Sequence, residues 1–267
     1  MNNNPIGILD SGVGGLSVWK EIAGYLSNES TIYIADSLNC PYGSKSNEQI
    51  YQLSKRLTQF LIDKKVKIIV IACNTITVLC LNKLRKDYPK IPIVGTVPVV
   101  KTASERSKSK KIGILSTENT AQSEYQKNLI KKFASDCNVV NIGTDKLVPL
   151  IEKGKIDNKV FDNLLKEELR YFRESGIDIL ALGCTHFTFL RSKIERIMGK
   201  EIVVLDSGSA IARQVKRVLE ANNALSSGSF SHVFYTTGNI ETFHQVAKKL
   251  LGKEDMKMVK SMERISI

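Results

Sequence analysis

The sequence predicts an α/β protein made of two similar domains, each built on a mostly parallel sheet that helices cover. Two observations support this fold class. Short apolar, β-branched segments alternate with longer helical patterns along the 267 residues, and the first half of the chain recurs in the second half in the same order. Such alternation is typical of parallel sheets, because a helix must carry the chain back before the next parallel strand begins.

Eight short segments are predicted to be strands, because they are apolar on both faces and rich in β-branched residues. They lie at 6–9, 31–35, 68–72, 91–94, 111–115, 138–142, 177–182 and 202–205. Helical patterns follow, for example at 47–64, 122–135 and 158–175. A helix from about residue 210, a strand at 233–237 and a last helix at 240–251 have no counterpart in the repeat.

The internal repeat is carried by matching strands. The first strand, 6–9, recurs 106 residues later at 112–115, and the segment 70–73 recurs 111 residues later at 181–184. The second and fourth strands match in the same order. A shared order with nearly constant spacing favours duplication over chance similarity between short apolar segments.

The repeat predicts two flavodoxin-like α/β domains that are related by a pseudo-twofold axis. One domain is expected to comprise residues 1–96 completed by 210–267, and the other residues 97–209. Ligands of open α/β sheets bind beyond the carboxyl ends of the strands. The active site is therefore expected in the cleft between the two domains, with each repeat supplying one half.

The chain is basic, with 39 Lys and Arg against 27 Asp and Glu and a formal net charge of +12. Such a charge can serve nucleic-acid or membrane binding. The lysines are spread along the chain, however, and the densest clusters, at 101–111 and 248–260, contain no interleaved aromatic residues. We interpret the charge as a solvated surface that helps to attract an anionic substrate. A nucleic-acid-binding protein remains the alternative from a different functional class.

The location of the protein is predicted from two features. No apolar run approaches the length of roughly 18–20 residues that spans a bilayer. The first ten residues, MNNNPIGILD, lack the basic region and long apolar stretch of a secretory signal. We therefore expect no membrane partner and a reducing cytoplasm, where cysteines stay free.

The cysteines are odd in number and irregularly spaced, which argues against a disulfide framework and against a zinc site. They are Cys40, Cys73, Cys80, Cys137 and Cys184. Cys73 and Cys184 occupy matching positions, since each ends an apolar strand and precedes a small polar residue and a helical pattern. A single such cysteine is often a small buried hydrophobe. For a matched pair we favour a functional role over a structural one, because a helix N-terminus stabilises a thiolate.

Two opposed thiols suit a reaction that needs a base on one face of a carbon and an acid on the other. A single base tends to return a proton to the side from which it came. Removal of the Cα proton of an amino acid by one thiol, and its return by the other, inverts the centre. Of the remaining cysteines, Cys40 lies in a loop that can approach the cleft, and Cys80 and Cys137 are interpreted as structural.

A glycine-rich segment, residues 10–15, follows the first strand and permits a tight turn with close backbone approach. It is similar to a dinucleotide-binding fingerprint, with Asp36 where a ribose ligand would lie. Ser17 replaces the third glycine, however, and Asp10 would oppose a pyrophosphate. Asp10 better suits an ammonium group or a catalytic thiol. His186, two residues after Cys184, can support that thiol or negative charge at Cα.

Together these motifs resemble the glutamate racemases of the aspartate/glutamate racemase family over nearly the full chain. The matching segments are 8–16, 35–36, 41–43, 72–75, 182–186 and 235–238. The resemblance implies interconversion of L- and D-glutamate without pyridoxal phosphate, metal or nucleotide, and a supply of D-glutamate for peptidoglycan. It assigns Cys73 to the D-glutamate side and Cys184 to the L-glutamate side. Relatives that act on aspartate, hydantoins or malonates share the paired thiols and remain the alternative.

The resemblance also implies the roles of further residues. Asp10, His186 and Glu152 match auxiliary acid/base positions beside the thiols. The expected substrate contacts are Asp10, Ser11, Pro41, Tyr42, Gly43, Asn74, Thr75, Thr117, Thr185 and His186. Family members are often dimers, so a homodimer is expected.

Overall fold

A computed structural model of the chain describes residues 2–96, 99–228 and 230–267. In these ranges strands and helices alternate along the chain. The strands are β1 (Ile6–Asp10), β2 (Thr31–Ala35), β3 (Ile68–Ile71), β4 (Ile93–Val94), β5 (Lys111–Ser116), β6 (Asn138–Gly143), β7 (Ile179–Gly183), β8 (Val203–Leu205), β9 (His232–Thr236) and β10 (Val259–Arg264).

Several helices begin at a residue whose side chain caps the first turn. Ser46 and Gln49 form a capping box at the start of the helix Asn47–Asp63, and Asn158 caps the helix Lys159–Glu174 by accepting a hydrogen bond from the Phe161 amide. The helices are α1 (Leu16–Tyr25), α2 (Asn47–Asp63), α3 (Asn74–Asp87), α4 (Val99–Arg106), α5 (Glu118–Gln122), α6 (Glu124–Phe133), α7 (Val148–Glu152), α8 (Lys159–Glu174), α9 (Thr185–Thr188), α10 (Arg191–Met198), α11 (Gly208–Ala221) and α12 (Ile240–Lys257).

The strands form two sheets, and every strand pair in the described ranges is parallel. The first sheet has the order β10-β9-β2-β1-β3-β4 and the second has the order β6-β5-β7-β8. Both therefore contain the same 2-1-3-4 arrangement, which is the order found in flavodoxin-like sheets. The predicted fold class, two α/β units with parallel sheets, is confirmed.

The C-terminal segment extends the first sheet. β9 pairs with β2, where His232 lies opposite Thr31, and β10 adds beyond β9. Helix α11 packs against α1 of the same unit. The predicted boundary between residues 96 and 97 falls at a position outside the described residues, and the domain limits stay a prediction.

Two features of the secondary structure differ from the sequence expectation. The helical pattern at 122–135 corresponds to α6, which begins at Glu124 because the extended Ser123 caps it, and the short helix α5 before it was not predicted. The last helix continues past 251 through a kink at Gly252, which has a φ of +83°, and β10 follows. The sequence analysis did not predict β10, because this edge strand carries Lys260, Glu263 and Arg264 and lacks a continuous apolar run.

The central strands are buried on both faces, as the sequence predicts. All residues of β1 and β3 are buried, and the thiols of the five cysteines are all free. Within the described ranges, none of the helices combines the length and apolarity needed to cross a membrane. The carboxyl ends of β1, β3 and β7 bring their following residues into one region, which is described next.

Candidate active site

Cys73 and Cys184 follow equivalent strands of the two sheets. Cys73 follows β3 and is the N-cap of α3, and Cys184 follows β7 and is the N-cap of α9. The two residues are 5% and 6% exposed. They line one enclosed space together with Ser11, Pro41, Tyr42, Gly43, Asn74, Thr75, Thr117, Val148, Thr185 and His186.

This space has a volume of about 10 Å³. That is at or below what a single water molecule needs, which is roughly 10–15 Å³ on the same measure. An amino acid can therefore bind here only if this space widens. A larger cavity of about 570 Å³ lies between α12 and β10, but it contains none of the predicted site residues.

The Cys73 thiol is in an environment that favours its neutral form. Burial, followed by the negative charge of Asp10, raises its pKa to about 12, although hydrogen bonds from the Ile76 amide and Ser11 oppose the rise. The Ser11 hydroxyl lies 3.7 Å from the sulfur. The sequence suggested that the helix N-terminus would favour the thiolate here. That expectation is not met, because removal from water outweighs one amide of α3.

Cys184 has a different neighbour. Helix α9 has only four residues, so the sulfur lies beside His186 rather than at the end of a long dipole. The Nδ1 atom of His186 is 3.8 Å from the Cys184 sulfur, and Nε2 is 2.6 Å from an oxygen of Glu152. Burial lowers the pKa of His186, but hydrogen bonds with Cys184, Cys40 and Glu152 outweigh it and raise that pKa well above 6.5. A protonated imidazole donates from both nitrogens, which fits this geometry.

The glycine-rich loop after β1 supports this arrangement instead of a nucleotide. The Val13 amide donates to Glu152 at 2.6 Å. A Cβ atom on Gly12 would overlap the Glu152 carboxylate, and one on Gly14 would overlap the His186 ring. The glycines thus permit the close approach of side chains from the second half of the chain.

Asp10 lies behind the enclosed space and is completely buried. Its carboxylate accepts hydrogen bonds from the Gly12 amide at 2.9 Å and from the Thr185 hydroxyl at 3.2 Å. Burial raises the pKa of Asp10 from 3.8 to about 6, against the opposing effects of His186 and the Gly12 amide. Asp10 and Glu152 are therefore placed one layer outside the residues that face the space.

Replacement of Asp10 by Asn is expected to stabilise the protein at pH 8. Because the folded-state pKa of about 6 exceeds the unfolded value of 3.8, stability falls as the pH rises through that window. The difference corresponds to at most about 3 kcal/mol in the free energy of unfolding. Thermal or denaturant unfolding of Asp10→Asn should show the gain at pH 8 and little gain at pH 4. The same substitution at the exposed Asp63 should change little at either pH, and equal gains for both variants would contradict the prediction.

Hydroxyl groups from both halves of the chain meet on another side of the space. The Thr75 hydroxyl lies 2.9 Å from that of Thr117, and Thr117 donates to Thr120 at 2.9 Å. Thr75 lies in the first turn of α3 in the first half, whereas Thr117 and Thr120 follow β5 of the second. Such hydroxyls, beside backbone amides at helix starts, suit a carboxylate.

The sequence analysis considered Asp36 as a ribose ligand, but in the structure its carboxylate binds other residues of the protein. It accepts hydrogen bonds from the side-chain amide of Asn39 at 2.9 Å, the Tyr42 hydroxyl at 2.6 Å and the Thr237 hydroxyl at 2.7 Å. Asp36 therefore fixes the loop that carries Tyr42 and Gly43 to the space. The sequence analysis missed this role, although aspartate and asparagine are both residues that favour turns.

The sequence analysis assigned no role to one further residue, Cys40. Cys40 lies in the loop after β2, close to both Glu152 and His186. Burial, followed by the charge of Glu152, raises the pKa of Cys40 to about 12. No cysteine spacing indicated a metal site, because these three residues are far apart along the chain.

Comparison with known proteins places this geometry in context. The family described as Asp/Glu/Hydantoin racemase matches residues 6–215. A curated glutamate racemase of Enterococcus faecalis is 36% identical over 260 residues, which cover 96% of this chain and 95% of the relative.

Solved structures give a similar result. Glutamate racemase RacE1 of Bacillus anthracis superposes with a TM-score of 0.90 at 30% identity, covering 100% of this chain and 99% of the other. Glutamate racemase of Francisella tularensis, solved in complex with D-glutamate, gives a TM-score of 0.85 at 29% identity, with coverages of 100% and 98%.

Proposed function

The chain belongs to the Asp/Glu/Hydantoin racemase family, and from this premise we propose that it is a glutamate racemase that works without a cofactor. The single observation that carries the proposal is the pair of buried thiols, Cys73 and Cys184, which follow equivalent strands and line one space. The similar chains named glutamate racemase support glutamate as the substrate, and one of them was solved with D-glutamate.

The two thiols differ in their neighbours in a way that fits the L-to-D direction. Cys184 removes the Cα proton of L-glutamate, and a protonated His186 stabilises negative charge on its sulfur through Nδ1. Cys73, whose raised pKa keeps it as a thiol, donates a proton to the opposite face. Each turnover exchanges the protonation states of the two sulfurs, and the D-to-L direction reverses both steps.

The neighbouring residues bind the ends of the substrate. The hydroxyls of Thr75, Thr117 and Thr185 and the side chain of Asn74 are proposed to bind the carboxylates. Ser11, Pro41, Tyr42 and Gly43 complete the pocket. The negative charge of Asp10 favours the substrate ammonium group, and that ammonium in turn offsets the effect of Asp10 on Cys73.

Opening and closing of the cleft are part of the proposed cycle. The space of about 10 Å³ must widen to admit glutamate and then close around it. Closure removes water from the Cα carbanion and strengthens the hydrogen bonds that stabilise it. The net charge of +12 is suited to attracting a dicarboxylate.

The test is incubation of purified, reduced protein with L-glutamate in deuterated water with no added cofactor. Loss of optical rotation together with deuterium at Cα is the expected result. A folded protein that exchanges no Cα proton of glutamate would overturn the proposal. A panel containing aspartate, a hydantoin and a substituted malonate then distinguishes the related substrate classes.

We further propose the setting in which the enzyme works. D-glutamate for peptidoglycan is the expected product, the cytoplasm the expected compartment, and a homodimer the expected assembly, as the family resemblance implies. Light scattering tests the dimer. Binding of nucleic acid, the alternative suggested by charge alone, would be strongly salt-dependent, and its absence at physiological salt would exclude that alternative.

A further inference from the structure

Three potential metal ligands from distant parts of the chain meet beside the active site. Cys40, Glu152 and His186 each place one ligand atom within 4.8 Å of the others, within the part of the chain that the structure describes. Cys40 follows β2, Glu152 ends α7, and His186 lies in α9. Both halves of the molecule therefore contribute to the group.

The donor types select one class of ion. A thiolate, an imidazole and a carboxylate are ligands of Zn²⁺, whereas Mg²⁺ and Ca²⁺ prefer oxygen donors. Bond lengths of roughly 2.0–2.3 Å to a tetrahedral zinc place its ligand atoms about 3.5 Å apart. Glu152 and His186, now 2.6 Å apart, would have to separate by about 1 Å. The ion would therefore replace their hydrogen bond.

A route to this group exists that does not pass the catalytic thiols. Cys40 and Glu152 line a cavity of about 400 Å³, which shares Pro41 with the catalytic space but includes neither catalytic cysteine in its lining. Lys153 also lines this cavity. Its positive charge opposes a cation, so the expected affinity is lower than that of a structural zinc site.

We propose that Cys40, Glu152 and His186 form an inhibitory Zn²⁺ site. On binding, the Cys40 thiol releases its proton to solvent, and the ion's two positive charges are balanced by the thiolate and the Glu152 carboxylate. His186 releases its second ring proton to solvent as well, uses that nitrogen for the ion and loses its bond to Glu152, so that the neutral imidazole no longer carries the positive charge that supports Cys184. The inhibition rests on the proposed racemase function, whereas the binding of the ion does not.

Binding is tested with Co²⁺, because its tetrahedral thiolate complexes absorb visible light, whereas Zn²⁺ complexes have no visible bands. The protein used is the full chain with Cys73→Ser and Cys184→Ser, so that the two catalytic thiols cannot bind the ion. One equivalent of Co²⁺ should produce thiolate charge-transfer and tetrahedral visible bands, and Zn²⁺ should displace them. Addition of Cys40→Ser should remove the charge-transfer band. Addition of Glu152→Gln should weaken binding by at least about tenfold.

The matched control is Cys137→Ser, since Cys137 is a partly buried cysteine near Ser104 and Asp136. It should leave the bands unchanged. A charge-transfer band that survives Cys40→Ser in a folded protein, or that disappears with Cys137→Ser, would overturn the site. So would the absence of any band up to millimolar Co²⁺.

Inhibition is tested in the chain that retains both catalytic thiols. Zn²⁺ should slow racemisation reversibly, with recovery on addition of a chelator. Cys40→Ser should raise the half-inhibitory Zn²⁺ concentration by at least about tenfold relative to its own metal-free rate. An unchanged half-inhibitory concentration would mean that Zn²⁺ acts on Cys73 and Cys184, and would overturn the inhibitory role.

Discussion

Replacement of either Cys73 or Cys184 by Ser should reduce racemisation by at least about 10³-fold, which is a loss of about 4 kcal/mol of transition-state stabilisation. A serine hydroxyl is too weak an acid and its alkoxide too costly to form at these buried positions. Because the equilibrium constant of a racemisation is one, kcat/KM must fall equally in both directions. Circular dichroism of each enantiomer measures the loss.

Hydrogen exchange at Cα then separates the two thiols. If Cys184 works on the L-glutamate side, Cys184→Ser should retain slow exchange with deuterated water only for D-glutamate, and Cys73→Ser only for L-glutamate. Cys137→Ser serves as the matched control and should racemise normally. Turnover within about tenfold of the unmodified protein in either active-site variant would remove the two-thiol mechanism.

Replacement of His186 by Asn should reduce kcat/KM by about 10³-fold. The imidazole contacts both the Cys184 sulfur and Glu152, and asparagine cannot carry the positive charge that stabilises a thiolate. Glu152→Gln is expected to have a smaller effect of about 10²-fold, because Glu152 acts through the histidine. The measurement is the initial rate of L-glutamate racemisation across the pH range.

The double variant tests whether the two residues act together. If Glu152 works only by orienting and charging His186, adding Glu152→Gln to His186→Asn should lower the rate little further. His244→Asn is the matched control, since His244 is exposed on α12. Additive losses for His186 and Glu152 would show that Glu152 has an independent role.

The sequence by itself was sufficient to predict the architecture and to single out the matched pair of cysteines. Buried parallel strands appear in the sequence as short runs that are apolar on both faces. Similar runs recur in each half of the chain, so both sheets could be predicted. The matched positions of Cys73 and Cys184 at strand ends follow from that repeat. These signals are local, because they can be recognised from a residue and its immediate neighbours along the chain. An edge strand such as β10 is partly solvated and lacks the signal, which is why it was missed.

The tertiary structure decided what surrounds each sulfur. The pKa of Cys73 depends on its removal from water and on Asp10, and both overrule the local preference of a helix N-terminus. The contacts of Cys40 with Glu152 and His186 join segments more than a hundred residues apart. Burial and electrostatic interactions depend on all the groups that lie nearby in space, wherever those groups stand along the chain. For that reason the chain order located the two thiols, but only the folded molecule determined their surroundings and brought the proposed metal ligands together beside them.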